Sequence, residues 1–302
     1  MRKRMVGVLL SLCMVMAMGT PVKADGVGNV NENGQAYLVT GADLSKDQWN
    51  KVIELLGVSE DELADYTQLE VTNAEEHQYL DQYLPASVIG SKAFSSVKMV
   101  PGEEGSGLDI TTYNINYCTV SMYKNALITA GMEDAQVTIA GPFELSGTAA
   151  LIGAVKAYAD EQGESVDEEA LKTATNELVT TGKLGDELGD ADAAADLVAY
   201  TKQMVVEKGL EDEDDIKEAV REGAEKLNLD VSDEQVDKIT DLMQDVSKLD
   251  LDKNVLQEQA EDLYNKLNDL GLNLDGINGG GVMSSVKEAF QSVLDFFKKL
   301  FG

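Results

Sequence analysis

The hydrophobic pattern along the chain changes near Pro142. Before this residue, short runs of β-branched and aromatic residues are bounded by Gly, Pro or Asn, which is typical of β-strands. Amphipathic patterns with a helical period lie between these runs. Because strands and helices alternate, we expect a mixed α/β domain over residues 36–145. The expected strands are 36–40, 68–72, 95–100, 108–116 and 136–140, and the expected helices are 45–56, 59–66, 73–83 and 120–130.

After Pro142 the pattern is helical throughout, and residues 143–302 contain no proline. Apolar residues form one stripe in each segment, and the other faces are charged or polar. The expected helices are 148–161, 168–180, 191–208, 215–227, 233–248, 253–269 and 286–300. The chain as a whole is therefore predicted to be α+β, with the mixed α/β domain followed by an all-α region whose main helical domain covers residues 146–275.

Residues 1–24 have the features of a secretory signal peptide. Basic residues at positions 2–4 precede an apolar run, and Val22 and Ala24 stand at the −3 and −1 positions of a cleavage site. The run is shorter than the ~20 residues that span a bilayer, and a retained N-terminal anchor is the alternative. We expect cleavage between Ala24 and Asp25, secretion to the extracellular side or the cell envelope, and a flexible segment over 25–35.

The chain is strongly acidic, with 55 Asp and Glu against 24 Lys and Arg and a formal net charge of −31. Loss of residues 1–24 would remove four basic residues and no acidic ones, which lowers the net charge to −35. Such a chain repels phosphate backbones, so nucleic-acid binding is excluded as a function. Cleavage also leaves Cys118 as the one cysteine, so the secreted form can have no intramolecular disulfide.

The mature chain has one cysteine, Cys118, and one histidine, His77. Catalysis by a thiol needs a nearby base and a third group that orients this base. Neither residue lies in a nucleophile motif, since Cys118 ends a strand pattern and His77 lies in a polar helix. We therefore expect a buried structural cysteine and a solvated histidine, and we assign no catalytic residue.

Ser146, Gly147 and Thr148 stand between a strand pattern and a helix start. Backbone N–H groups at such a junction can bind an anion. The segment lacks the lysine and glycines of a P-loop and the G-x-S-x-G pattern of a serine nucleophile. The three residues are a candidate anion site, and the alternative is that Ser146 is simply the N-cap of the helix.

Calcium is the one cofactor that the sequence suggests. Asp250, Asp252, Asn254 and Glu261 match part of an EF-hand loop, but Val255 stands where the loop needs Gly for its sharp turn. A short capped connector between two helices is the alternative. No metal ligand is assigned.

The C-terminal segment contains a Gly-rich linker over 276–281 and an amphipathic helix pattern over 282–302. Four of the six phenylalanines of the chain lie in this last segment. Amphipathic helices rich in aromatic residues bind membrane surfaces or protein partners. The alternative is a final helix that folds back onto the core.

Three motifs resemble a known family: Y-x-N-A-L-I-T-A-G over 123–131, G-P-F over 141–143 and S-G-T-A-A-L over 146–151. They are similar to the YpuA-like secreted proteins of Gram-positive bacteria, which are described as a domain of unknown function. The sequence departs from the family pattern at Thr119-Val120-Ser121, where the resemblance predicts Thr-Pro-Glu. The resemblance implies an extracellular bacterial protein and brings no activity or catalytic residue.

Two classes of function remain. The first is a non-catalytic extracellular or cell-envelope protein that binds a protein, an envelope component or a membrane surface. The alternative is an envelope-acting hydrolase in which two carboxylates serve as acid and base. A cavity with two converging carboxylates of raised pKa would favour the hydrolase.

Overall fold

The computed structural model describes residues 34–163 and 167–253, together with residues 255, 256 and 259. Five strands and nine α-helices follow one another within this part of the chain. None of the described helices is long and apolar enough to cross a bilayer. The predicted signal peptide, the 276–281 linker and the 282–302 helix lie outside the described residues.

The strands are β1 (Tyr37–Gly41), β2 (Thr67–Val71), β3 (Ser96–Pro101), β4 (Leu108–Ile115) and β5 (Ala135–Leu145). The helices are α1 (Lys46–Leu55), α2 (Asn73–Leu80), α3 (Ala86–Ile89), α4 (Val120–Thr129), α5 (Thr148–Glu161), α6 (Glu168–Leu188), α7 (Ala191–Lys208), α8 (Glu213–Lys226) and α9 (Asp233–Val246). A 3-10 helix covers Glu60–Asp65. Strands come first and helices dominate the second half, which confirms the α+β prediction.

The strands form one mixed sheet in the order β2-β1-β3-β5-β4. β1 runs parallel to β2 and antiparallel to β3, and β5 runs antiparallel to β3 and parallel to β4. Across the three central strands, Val97 lies opposite Val39 on one side and Ile139 on the other. These three side chains are almost fully buried, so the sheet register is fixed by its apolar face.

Helices cover both faces of the sheet. α5 crosses β1, β2 and β3 on the larger apolar face. Gly153 lets this helix approach closely, because an added Cβ would lie 3.1 Å from Val97 and 3.2 Å from Val39. α1 packs on the opposite face, where Val52 and Leu56 join a small core around Leu38.

The helical half packs directly against the sheet half. α4 lies between β4 and β5 in sequence and contacts β4 and α5 as well as α6 and α7. Seven of its ten residues are buried. Residues from both halves therefore belong to one continuous hydrophobic core, which runs from Tyr37 to Leu256.

Two elements extend five or more residues beyond their predicted ends. α6 continues past residue 180 to Leu188, and Gly182 and Gly185 within it let neighbouring residues approach closely. A Cβ on Gly182 would meet the Tyr117 hydroxyl at 2.4 Å, and one on Gly185 would meet Ala191 Cα at 2.7 Å. β5 likewise runs on through Pro142 to Leu145. The predicted helix over 59–66 is the short 3-10 helix, α3 was not predicted, and the proposed domain boundaries stay predictions.

Candidate functional site

A cleft of about 250 Å³ opens where the start of α5 meets α2 and the segment before β3. We call it the Glu76 cleft, because Glu76 is the one carboxylate among the described residues that line it. The 88–95 segment forms one wall and the end of β5 forms the other. The lining residues are Glu76, Val88, Ile89, Gly90, Ser91, Lys92, Phe94, Ser95, Leu145, Ser146 and Thr148.

The start of α5 is built around a glycine. Gly147 is the N-cap of the helix and has a φ of 93°, a conformation that side chains disfavour. The prediction that Ser146 is the N-cap is therefore wrong, since the turn into the helix falls one residue later. Glycine has no side chain that could cap the helix, and the hydroxyl of Ser95 instead accepts a hydrogen bond from Ala150 N at 3.0 Å. Tyr123 fixes the turn by donating its hydroxyl to Gly147 O at 2.7 Å.

Glu76 places a nearly buried carboxyl group beside this helix start. The residue is 2% exposed, and Thr148 Oγ1 donates to its Oε1 at 2.8 Å. Its other oxygen has a long contact of 3.4 Å with Asn73 Nδ2. Burial raises the pKa of Glu76 to about 6, and the hydrogen bond from Thr148 opposes this rise. The cleft therefore contains a carboxyl group that titrates close to neutral pH.

The candidate anion site thus lies in the cleft, but next to a carboxylate. Ser146 and Thr148 line the cleft, and their hydroxyl oxygens lie 3.4 Å apart. An ionised Glu76 would repel an anion placed at Thr148. Anion binding by Ser146, Gly147 and Thr148 stays a prediction, and protonation of Glu76 would remove this repulsion.

Polar contacts from α2 and from the segment after β1 hold the 88–95 wall. Gly90 O lies 3.1 Å from His77 Nε2, and Asp43 Oδ2 accepts a hydrogen bond from Ala93 N at 2.9 Å. Gly41 lets the backbone at Ala93 lie against the end of β1, because an added Cβ would lie 2.3 Å from Ala93 O. The wall is therefore fixed to α2 and to the end of β1.

The His77 ring contacts Asp81 as well as the 88–95 wall. Its Nδ1 lies 2.6 Å from Asp81 Oδ1, so both ring nitrogens face oxygen acceptors. The hydrogen bond with Asp81 raises the pKa of His77, because the doubly protonated ring satisfies both acceptors.

Two aromatic rings lie at one side of the cleft. Phe94 lines it, and Phe143 packs edge-to-face on Phe94 with the ring centroids 5.4 Å apart. Phe143 is 46% exposed. The Lys92 ammonium lies 5.7 Å from the Phe94 ring centre, a cation–π geometry. The cleft therefore combines a carboxyl group, an ammonium, hydroxyls and an aromatic surface.

Cys118 and His77 do not form a catalytic pair. Cys118 is buried and interacts with the hydroxyl of Tyr123, whereas His77 is bound to Asp81 and Gly90. Burial raises the pKa of the Cys118 thiol to about 12, so the thiolate is scarce at neutral pH. The prediction of a buried structural cysteine is confirmed.

A second cavity, of about 420 Å³, brings carboxylates together near the end of the described chain. Its lining includes Glu133, Asp250 and Asp252 beside Lys253. Burial, followed by the charge of Asp252, raises the pKa of Glu133. No group of three or more His, Cys, Asp or Glu in the described part of the chain could hold a metal ion. Calcium binding stays a prediction, since Asn254 and Glu261 lie outside the described residues.

The sequence analysis did not single out Glu76, the central residue of the cleft. One local signal was present: Glu76 and Leu80 are one helical turn apart on α2, and both are buried. A residue four positions before a core leucine lies on the same face of a helix as that leucine. A glutamate at that position indicates a buried carboxyl group. With 55 acidic residues in the chain, the composition alone does not single it out.

Comparison with known proteins identifies the family of this chain. Residues 40–263 match the family described as Protein of unknown function (DUF1002). The chain is 34% identical over 303 residues to the protein named Uncharacterized protein YpuA of Bacillus subtilis (strain 168), with 100% of this chain and 98% of that protein covered. No solved structure matches. The chain therefore belongs to the DUF1002 family of proteins of unknown function.

Proposed function

We propose that this protein is a non-catalytic binding protein of the cell envelope and that the Glu76 cleft is its ligand site. One observation carries the proposal: a nearly buried carboxyl group faces a cavity of about 250 Å³ together with hydroxyls and an aromatic ring. Concave sites with a few converging polar groups are the usual form of a binding site for a small ligand. Among the described residues that line the cleft, Glu76 has no second carboxylate to act with as an acid–base pair.

Secretion is part of the proposal and rests on the N-terminal sequence. The basic residues at positions 2–4, the apolar run and Ala24 together support export followed by cleavage. N-terminal sequencing of protein from the culture medium or the envelope should begin at Asp25. A mature, membrane-bound protein that begins at Met1 would show a retained anchor instead.

The charge of the protein restricts its envelope partners. A mature chain of net charge −35 repels anionic lipids and anionic wall polymers. We therefore place the partner among uncharged envelope components or proteins. A membrane or protein contact through residues 282–302 is a second route, and deletion of those residues should remove it without affecting the cleft.

Sedimentation with purified Gram-positive cell-wall sacculi, from which the anionic wall polymers have been removed, tests the cleft as the binding site. Ser91 is exposed and lines the cleft, so Ser91→Trp should fill the cleft without disturbing the core. Ser87→Trp is the matched control, because Ser87 is exposed in α3 and does not line the cleft. We expect the mature protein and Ser87→Trp to sediment with the sacculi and Ser91→Trp to remain in solution. Equal sedimentation of the two variants would contradict the proposal.

The second cavity favours a second candidate function, an envelope-acting hydrolase. Glu133 has a raised pKa and lies in one cavity with Asp250 and Asp252, as acid and base carboxylates must. Release of soluble fragments from sacculi, abolished by Glu133→Gln and kept by Glu103→Gln, would support this candidate. Glu103 is an exposed glutamate outside that cavity. The absence of release by the mature protein would contradict it.

A further inference from the structure

We propose that the Glu76 cleft takes an uncharged, hydroxyl-rich ligand of the size of one sugar ring. This inference rests on the proposed function, since it names the class of ligand for the same cleft. It follows from three properties of the lining: its balance of charge, its hydrogen-bonding groups and its aromatic side.

The two charges of the lining balance, so the cleft gives a charged ligand no net attraction. With Glu76 ionised, the lining holds one carboxylate and one ammonium, that of Lys92. An anion at the start of α5 meets the Glu76 carboxylate, and a cation against Phe94 meets the Lys92 ammonium already there. Like charges at short distance in a partly buried site cost several-fold in affinity. A neutral ligand meets neither penalty.

The polar groups of the lining suit neighbouring hydroxyls. Glu76 Oε2 has one long contact, 3.4 Å from Asn73, and can accept a stronger hydrogen bond. Ser95 uses its oxygen as an acceptor for Ala150 N, so its hydroxyl hydrogen is left to donate. Ser146 offers a further hydroxyl beside Thr148. Closely spaced donors and acceptors match the vicinal hydroxyls of a sugar, each of which both donates and accepts.

The aromatic side suits the apolar face of a sugar ring. Phe94 lines the cleft, and Phe143 extends the aromatic surface outward with 46% of its own surface exposed. The C–H groups on one face of a pyranose carry partial positive charge, and the face of an aromatic ring carries partial negative charge. A cavity of about 250 Å³ is below the range of drug-sized ligands and holds a single ring.

Three sugars that share one ring and differ in charge test the ligand class. D-glucose is neutral, D-glucosamine is mainly a cation and D-glucuronate is an anion at about pH 6.5, where Glu76 is still mostly ionised. Saturation-transfer difference NMR on the mature full-length protein should give the tightest binding for D-glucose, with each charged sugar bound about fivefold or more weakly. Phe143→Ala should weaken binding of D-glucose about tenfold. Tyr113→Ala, at an equally exposed aromatic residue outside the cleft, should leave it unchanged.

Each other outcome overturns the inference. Tightest binding of D-glucuronate would make the cleft an anion site, and tightest binding of D-glucosamine would make it a cation site. If none of the three sugars binds while Ser91→Trp still abolishes sedimentation with sacculi, the ligand class is wrong and the proposed site stands. If Ser91→Trp has no effect on sedimentation either, the proposed function fails as well.

Discussion

The ammonium of Lys202 on α7 lies 2.9 Å from Glu177 Oε1 on α6, and both side chains are fully buried. Lys202 also donates to Asn125 O at 2.8 Å and to Thr129 Oγ1 at 3.0 Å, both on α4. Thr129 in turn donates to the other oxygen of Glu177. Burial lowers the pKa of Lys202, and the charge of Glu177 opposes this. The pair therefore links α4, α6 and α7, and each buried charge is stabilised by the opposite one.

Removal of one partner of this pair should be costly. Lys202→Met leaves Glu177 buried without its counter-charge, which should lower the free energy of unfolding by about 3–5 kcal/mol. The double variant Glu177→Leu/Lys202→Met should recover much of that loss, because a buried ion pair is often replaceable by apolar side chains. Urea unfolding followed by circular dichroism measures both.

The control for this prediction is an ion pair at the surface. Lys172 lies 3.2 Å from Glu169, and their side chains are 39% and 81% exposed. Lys172→Met should leave the free energy of unfolding almost unchanged, because solvent screens exposed pairs. Equal effects of Lys202→Met and Lys172→Met on the free energy of unfolding would contradict the prediction.

Glu76 should make stability depend on pH. Its pKa is raised to about 6 in the folded protein, whereas an unfolded chain has an ordinary value of ~4.3. The contribution of this group is therefore fully present below about pH 4 and is lost as the pH rises through about 6. The difference corresponds to roughly 2 kcal/mol. Glu76→Gln should remove this part of the pH profile, as measured by urea unfolding between about pH 4 and pH 8.

The neighbouring charges must be held constant in that comparison. Asp43 acts to raise the pKa of Glu76 and His77 acts to lower it, so both residues stay unmodified. Glu103→Gln, at an exposed glutamate outside the cleft, is the control and should follow the wild-type profile. Parallel profiles for Glu76→Gln and wild type would contradict the prediction.

Gly147 should tolerate no side chain. A Cβ there would lie 2.2 Å from the Tyr123 hydroxyl, and the φ of 93° is itself strained for alanine. Gly147→Ala should destabilise by about 2 kcal/mol or more, since backbone strain and steric overlap add. Gly189→Ala is the matched control: it has a φ of 74° and open space around it, so it carries the backbone cost alone. Thermal unfolding of the two variants should show a larger loss at Gly147.

Cys118 should be unreactive until the protein unfolds. The side chain is buried and its pKa is raised to about 12, so a thiol reagent at pH 8 finds neither access nor thiolate. Labelling of the mature protein with a thiol-specific reagent should be slow in buffer and complete, with one group per chain, in concentrated urea. Rapid labelling of the folded protein would contradict the buried position.

Local signals explain why most elements could be predicted. Ser45 and Ser232 each form a capping box with the glutamine three residues later, so α1 and α9 begin where the sequence indicates. α5 and α7 match their predicted ranges, and Gly209 ends α7 with the positive φ that favours glycine after a helix. α3 has four residues, too few to show a helical period.

The cleft could not be predicted because its parts are distant in sequence. Thr148 meets Glu76 across 72 residues, and Ser95 meets Ala150 across 55. Those contacts depend on the order of strands in the sheet, which places the start of α5 beside α2, and no periodicity in the sequence states that order. The junction at residues 146–148 was found by its local pattern, but the carboxylate beside it was not.

The position of α4 determines whether the sheet half and the helical half can be separated. This helix connects β4 to β5, yet α6 and α7 cover much of its surface. A cut near residue 145 would leave one fragment with an uncovered apolar helix and the other without the surface that it packs on. The sheet and the helices that follow it are therefore expected to be inherited, expressed and unfolded together as one cooperative unit.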